Sequence, residues 1–292
     1  GGKATMVTKG IAFDTHPRWS PDGKKILFTS DRSGSENLWY IDTDKKDTVQ
    51  LTKDRDQNYT SAAWAPDGKR ILFTSDRSGS ENLWYIDSDK KDTVQLTKDR
   101  DQNYTSAAWT PDGKYIVASR GRLDMKLWMM HVDAGSGTQL VEGGFKTIDP
   151  AVSHDGRYVY FSARGGSWSY NGPMPQYQIV MYDRDNAKYT TVTTRYGSAF
   201  TPVLSKDGKW MVYGSRYEDK TGLVLRNLSN GDEKWLAYPV QRDDQESIAT
   251  MGVLPGMSFT PDSKSLIASF GGKIYRIPID GGKPAEIPFT AD

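Results

Sequence analysis

The stretch WSPDGKKILFTSDRSGSENLWYIDTDKKDTVQLTKDRDQNYTSAA, residues 19–63, recurs as residues 64–108 with three changes, Ser20/Ala65, Lys25/Arg70 and Thr43/Ser88. A 45-residue unit with four short apolar runs reads as a propeller blade, a four-stranded sheet that can bury its faces only against its neighbours. Folding constrains core and turn positions. It gives no reason to keep solvated stretches such as DRSGSEN and DKKD letter for letter, so the copy reads as recent or engineered.

Each repeat carries a turn of the form Ser/Thr-Pro-Asp-Gly, in which proline presets φ, aspartate closes an Asx-type bond and glycine takes the left-handed position. The turn, in part degraded, is found around Asp22, Asp67, Asp112, Asp155, Asp207 and Asp262, spaced 45, 45, 43, 52 and 55 residues apart. Six turns predict an all-β fold, a six-bladed β-propeller of four-stranded antiparallel blades in one domain, residues 1–292. The blades are expected at about 11–53, 58–98, 103–142, 147–195, 198–239 and 252–289, with a strand at 3–9 closing the ring. Within the first blade an inner strand precedes the turn and three more follow at 25–30, 37–42 and 48–53. Ile26, Leu27 and Phe28 form an unbroken apolar run, as expected where both faces of a sheet are packed. Trp19, Trp64 and Trp109 before the turns, and Trp39, Trp84 and Trp128 on the third strands, are assigned to packing between blades.

The 38 basic and 37 acidic side chains leave a net charge of +1, which disfavours a nucleic-acid groove or an anionic-membrane patch. The absence of cysteine removes disulfides, thiolate metal sites and cysteine nucleophiles. No apolar run reaches the roughly 18 residues of a membrane span. The chain opens Gly1-Gly2-Lys3, so no export signal is read in it.

The string HPRWSPDGKKILFTSDRSGSENLWYID, residues 16–42, resembles TolB-like, WD40-like propeller repeats. HDGRYVYFS (154–162), RDDQE (242–246) and GGKIYRIP (271–278) resemble the version that precedes the metal-dependent barrel of secreted amidohydrolases. That resemblance implies a periplasmic or secreted parent. The barrel's His-x-His pair is missing; the histidines are His16, His131 and His154. What the resemblance leaves is an accessory propeller with one blade duplicated.

In such a fold, the loops after the second strand and after the outer strand share one face around the channel. Arg32, Arg77, Arg120, Arg164 and Arg216 end the second strands there, either as clamps to a neighbouring blade's aspartate or as a ring of guanidinium forks for carboxylates or phosphates. Asp14, Asp56, Asp101, Asp149, Asp243, Asp244 and Glu246 reach the same face, and their interleaving with arginine favours the clamp. His16 joins them, while His131 and His154 are read as structural. The 164–178 insertion, carrying Trp168, Tyr170 and Tyr177, is expected to cover the channel mouth. The loop carboxylates leave room for a calcium or manganese ion as the lesser reading, without a spaced Asp-x-Asp-x-Asp-Gly loop to support it; no Gly-x-Ser-x-Gly is present, and the main reading is that there is no cofactor. The function read from these features is a non-catalytic scaffold or interaction module, acting as a monomer on a protein or peptide. The alternatives are a TolB-like docking module and a metal-assisted enzyme on acidic sugars.

Overall fold

The structure, a computed structural model, describes residues 14–42, 44–45, 47–55, 59–122, 124–133, 137–165, 176–242, 254, 257–270 and 273–287. Blade one is β1 (Asp14–Trp19), β2 (Lys25–Ser30), β3 (Asn37–Asp42) and β4 (Thr48–Gln50); blade two is β5 (Tyr59–Trp64), β6 (Arg70–Ser75), β7 (Asn82–Asp87) and β8 (Thr93–Gln95). Blade three is β9 (Asn103–Trp109), β10 (Tyr115–Gly121), β11 (Lys126–His131) and β12 (Gly137–Gln139); blade four is β13 (Lys146–Val152), β14 (Tyr158–Arg164), β15 (Gln178–Asp183) and β16 (Lys188–Thr191). Blade five is β17 (Phe200–Leu204), β18 (Trp210–Tyr217), β19 (Lys220–Asn227) and β20 (Glu233–Arg242), and blade six is β21 (Met257–Phe259), β22 (Ser265–Phe270), β23 (Lys273–Pro278) and β24 (Ala285–Ile287).

Every blade is a sheet paired in sequence order, and all pairings are antiparallel. No helix occurs among the described residues. The fold class is the six-bladed β-propeller. The chain forms two compact units that divide between Gln139 and Leu140, with blades one to three in one and four to six in the other. The strand expected at 3–9 lies outside the described residues.

The second blade shows why its central strand is apolar without interruption. Successive side chains of a strand point to opposite faces. Ile71 and Phe73 therefore join Leu27 and Leu38 of blade one in one cluster, while Leu72 joins Ile116 and Ala118 of blade three in another. Ile86 and Leu83 of β7 divide between the clusters in the same way. Ile71, Leu72, Phe73, Leu83 and Ile86 are all fully buried, each contributing about 1.5–3 kcal/mol by the usual measure of apolar burial.

Trp64 and Trp109 carry the packing assigned to them: both are buried, with the Trp64 ring 6.4 Å from Tyr40. Trp109 donates its indole N–H to the Ala63 carbonyl at 3.3 Å. Trp19 does not share this environment. It opens the first blade of its unit, with no preceding blade there to cover it, and is 60% exposed.

Strand β4 is shorter than the 48–53 expected. Leu51 N–H bonds the Leu38 carbonyl at 2.8 Å and the Thr52 hydroxyl accepts from Leu38 N–H at 2.9 Å, which draws the chain out of the ladder. The inner strands β1, β5, β9, β13 and β17 each carry a bulge, and Ser106, Asp149 and Thr201 take positive φ there.

The turn after each inner strand has one hydrogen-bonded design. In blade three, Thr110 donates its hydroxyl to Asp112 at 2.5 Å and accepts from Tyr115 N–H at 3.0 Å, while Asp112 accepts from Lys114 N–H at 3.0 Å. Gly113 sits at φ +67°. Serine does the same at Ser20 and Ser205. The hydroxyl bonds from Ser20, Ser153 and Thr260 hold the Asp22, Asp155 and Asp262 carboxyls below their ordinary range. Blade two has Ala65 at this position, fully buried, and keeps only the Lys69 N–H to Asp67 bond and the backbone bonds. Ala65→Ser restores the missing pair of bonds and is expected to stabilise the protein by about 1 kcal/mol. Urea unfolding checks this, and a lowered midpoint counts against the account of the turn.

Candidate functional site

Arg77, two residues after β6, and Arg120, next to the last residue of β10, do not stand open. Arg77 of blade two donates to Asp54 of blade one at 2.8 Å and to the Tyr59 hydroxyl at 2.6 Å, and that hydroxyl donates to Asp54. Arg120 of blade three grips Asp99 of blade two with two bonds, 2.7 and 3.0 Å, and Tyr104 donates to the same carboxylate. Each guanidinium also lies over the tryptophan of its own third strand, Trp84 at 4.8 Å and Trp128 at 4.4 Å. This three-part contact ties the loop after one blade to the second strand of the next.

The electrostatics follow from the geometry. The Arg120 hydrogen bonds hold the Asp99 carboxyl below its usual range, and Asp99 in turn raises Arg120. Burial, followed by the Asp54 bond, pushes the Tyr59 hydroxyl up to about 12. Burial and Asp99 raise Tyr104 for the same reasons. Asp99, Arg120 and Tyr104 therefore keep their hydrogen-bonding states across the neutral range.

A buried amide aims each aspartate. Asn82 accepts from the Thr97 hydroxyl at 2.9 Å and from Asp99 N–H at 3.0 Å, and donates to the Asp99 carbonyl at 3.0 Å. Asn37 makes the same three bonds to Thr52 and Asp54. These amides fix the backbone on both sides of the aspartate, so its carboxylate is delivered rather than recruited.

The sequence reading placed the acidic partner two residues too late. Asp101 is exposed, and Asp99 makes the clamp. Asp56, the counterpart in blade one, lies outside the described residues, and Asp54 takes that role. Asn37, Asn82, Asp54 and Asp99 were not singled out from the sequence, although the repeated N-L-W-Y-I and T-K-D-R strings contain them.

The other candidates occupy different settings. Arg32 donates to Ser30 at 2.9 Å and lies over Phe28 and Trp39. Arg164 is buried, 3.4 Å from the Gln176 side-chain oxygen and over Tyr177, so it does not belong to an open ring of guanidinium groups. Arg216 donates to the Glu218 carbonyl at 2.7 Å. Asp149 occupies the bulge of β13 and accepts from the Thr201 hydroxyl at 3.1 Å. His16 falls in the bulge of β1. His131 packs edge-on against Tyr115 at 5.1 Å. Trp168, Tyr170 and Asp243, with Asp244 and Glu246, lie outside the described residues. Among the described residues, no three His, Cys, Asp or Glu side chains are grouped to hold a metal ion.

Residues 33–171 match the family profile described as the TolB beta propeller domain. That stretch, just under half of the chain, is TolB-like. The Tol-Pal system protein TolB of Bordetella pertussis is 41% identical to the chain over 49 residues, 16% of this chain and 11% of that protein. Among solved structures, TolB from Acinetobacter baumannii superposes with a TM-score of 0.65 at 19% identity, covering 92% of this chain and 61% of that one. An oligogalacturonate lyase from Vibrio parahaemolyticus gives 0.72 at 12% identity, covering 96% and 80%. At such identities these two likenesses are of fold. The match spans 11% of the Bordetella protein and 61% of the Acinetobacter one.

Removing one partner of the clamp leaves the other charge without its mate. A double-mutant cycle of Asp99→Ala and Arg120→Ala is expected to give a coupling of about 1–2 kcal/mol, between that of an exposed pair and that of a charged hydrogen bond. A coupling near zero in urea unfolding counts against the clamp. Because the folded Asp99 carboxyl titrates below its unfolded value, its contribution is complete above about pH 4 and is lost as pH falls through the folded value. Asp99→Asn should therefore flatten the acid arm of the stability profile, whereas an unchanged arm places the acid-sensitive group elsewhere.

Proposed function

We propose that this TolB-like propeller is a non-catalytic interaction module that docks a protein or peptide. The observation that carries this reading is the occupation of Arg77 and Arg120 by Asp54 and Asp99. Guanidinium groups held by carboxylates from the neighbouring blade act as structural ties and do not form an open anion-binding ring. The name of the Bordetella relative, a Tol-Pal system protein, supports a role among other proteins. The repeat of blades one and two supports a recent or engineered duplication of one blade, and the resemblance to amidohydrolase-associated propellers supports an accessory origin.

A lyase acting on acidic sugars is the second reading, favoured by the shared fold of the oligogalacturonate lyase. It requires a base within reach of the substrate. Of the histidines, His131 accepts from Asp133 N–H at 3.2 Å and packs on Tyr115, and His154 sits in the turn between β13 and β14, which is a structural setting for both.

Incubation with oligogalacturonate, with and without manganese or calcium, tests the choice through the ultraviolet absorbance of the unsaturated product. No absorbance change above the protein-free blank is expected. A metal-dependent rise that scales with protein concentration overturns the docking reading.

A further inference from the structure

Blades one and two carry nearly the same letters, yet the junction between them is tied less firmly than the junction between blades two and three. The apolar seam does not separate the two. Leu27, Leu38, Ile71 and Phe73 close one cluster and Leu72, Leu83, Ile116 and Ala118 the other, all of them buried. The difference lies in the polar ties laid over that seam.

At the clamps, Asp99 receives two hydrogen bonds from Arg120, at 2.7 and 3.0 Å. Asp54 receives one from Arg77, at 2.8 Å, and the Arg77 Nε is buried with no hydrogen-bond partner. The backbone repeats the contrast. Tyr104 N–H of blade three donates to the Glu81 carbonyl of blade two at 3.0 Å, and among the described residues the counterpart from Tyr59 to Glu36 is missing. The tryptophans that pack across each junction repeat it again. Trp109 donates its indole N–H to the Ala63 carbonyl at 3.3 Å, whereas the Trp64 indole nitrogen is buried without a partner. A buried donor left unpaired is a cost that the folded state carries.

One of the three sequence differences falls on this seam. At each junction a cation lies near a tyrosine of its own blade and the tryptophan of the next. Arg70 is 5.7 Å from the Tyr85 ring and 5.4 Å from Trp109, and donates to the Gly113 carbonyl of blade three at 3.4 Å. Lys25 is 4.7 Å from the Tyr40 ring and 5.9 Å from Trp64, and its reach to the exposed Asp89 of blade two is 4.0 Å, beyond hydrogen-bond range. The planar guanidinium can stack and donate at once, and the ammonium cannot. Lys91 of blade two does donate to the Gln50 carbonyl of blade one at 3.1 Å, but that bond joins exposed groups and has small net worth.

We propose that the junction between blades one and two is the opening point of this three-blade unit, where blade one parts from blade two while blades two and three stay joined. A blade cannot bury its own faces, so blade one loses its protection once parted, and the Ile71, Phe73 and Ile86 face of blade two is bared. The proposal goes beyond the docking reading and does not depend on it.

Hydrogen exchange of the intact chain, followed by mass spectrometry of peptic fragments, tests this with a control that the sequence supplies. Residues 26–42 and 71–87 are identical, so amides within them share their intrinsic exchange rates and differ only through context. Fragments that reach Ser20 or Thr43 differ in mass from those that reach Ala65 or Ser88, which assigns each to its blade. Blade-one amides are expected to exchange about tenfold faster than the matching amides of blade two. Lys25→Arg gives the first junction the cation of the second and should narrow that ratio severalfold. Arg70→Lys should speed blades one and two together, because it loosens the junction behind both. Circular dichroism checks that each variant is folded. Equal protection of the two blades in the unaltered chain overturns the proposal. A ratio left unchanged by Lys25→Arg in the folded variant also overturns it, and traces the fast exchange of blade one to its place at the end of the unit.

Discussion

A blade in this fold cannot satisfy its own hydrophobic surface. Strand β6 sends Ile71 and Phe73 to one neighbour and Leu72 to the other, all fully buried, so the sheet that carries them is stable only between two others. Apolar contact of this kind is strong but non-directional. Adjacent blades would slide or splay if nothing fixed their register.

The clamps supply that direction. Arg77 to Asp54 and Arg120 to Asp99 join neighbouring blades through short charged hydrogen bonds, and the Asn37 and Asn82 amides hold the acceptors in place. The tyrosine hydroxyls of Tyr59 and Tyr104 close the arrangement from the following inner strand. The two junctions are not held equally, since Asp99 takes two bonds from Arg120 and Asp54 takes one from Arg77.

The blade plan was legible in the sequence because turn chemistry and apolar runs are local signals: the six Asp-centred turns and strands such as Ile26 to Phe28 are written in consecutive residues. The arginines were legible as a recurrent position. Their partners were not, since Asp99 and Asp101 are equivalent as letters and only the Asn82 amide distinguishes them in space. Trp19 misled for a related reason. A repeat gives identical letters to a residue that has a preceding blade in its unit and to one that has none.

The central claim is that Asp54 and Asp99, gripped by Arg77 and Arg120, hold neighbouring blades in register. The most direct measurement compares the urea-unfolding stability of Asp99→Ala with that of Asp101→Ala, two residues along the same loop. The account predicts a clear loss of stability for Asp99→Ala and almost none for the exposed Asp101→Ala. Equal stabilities for the two variants would contradict it.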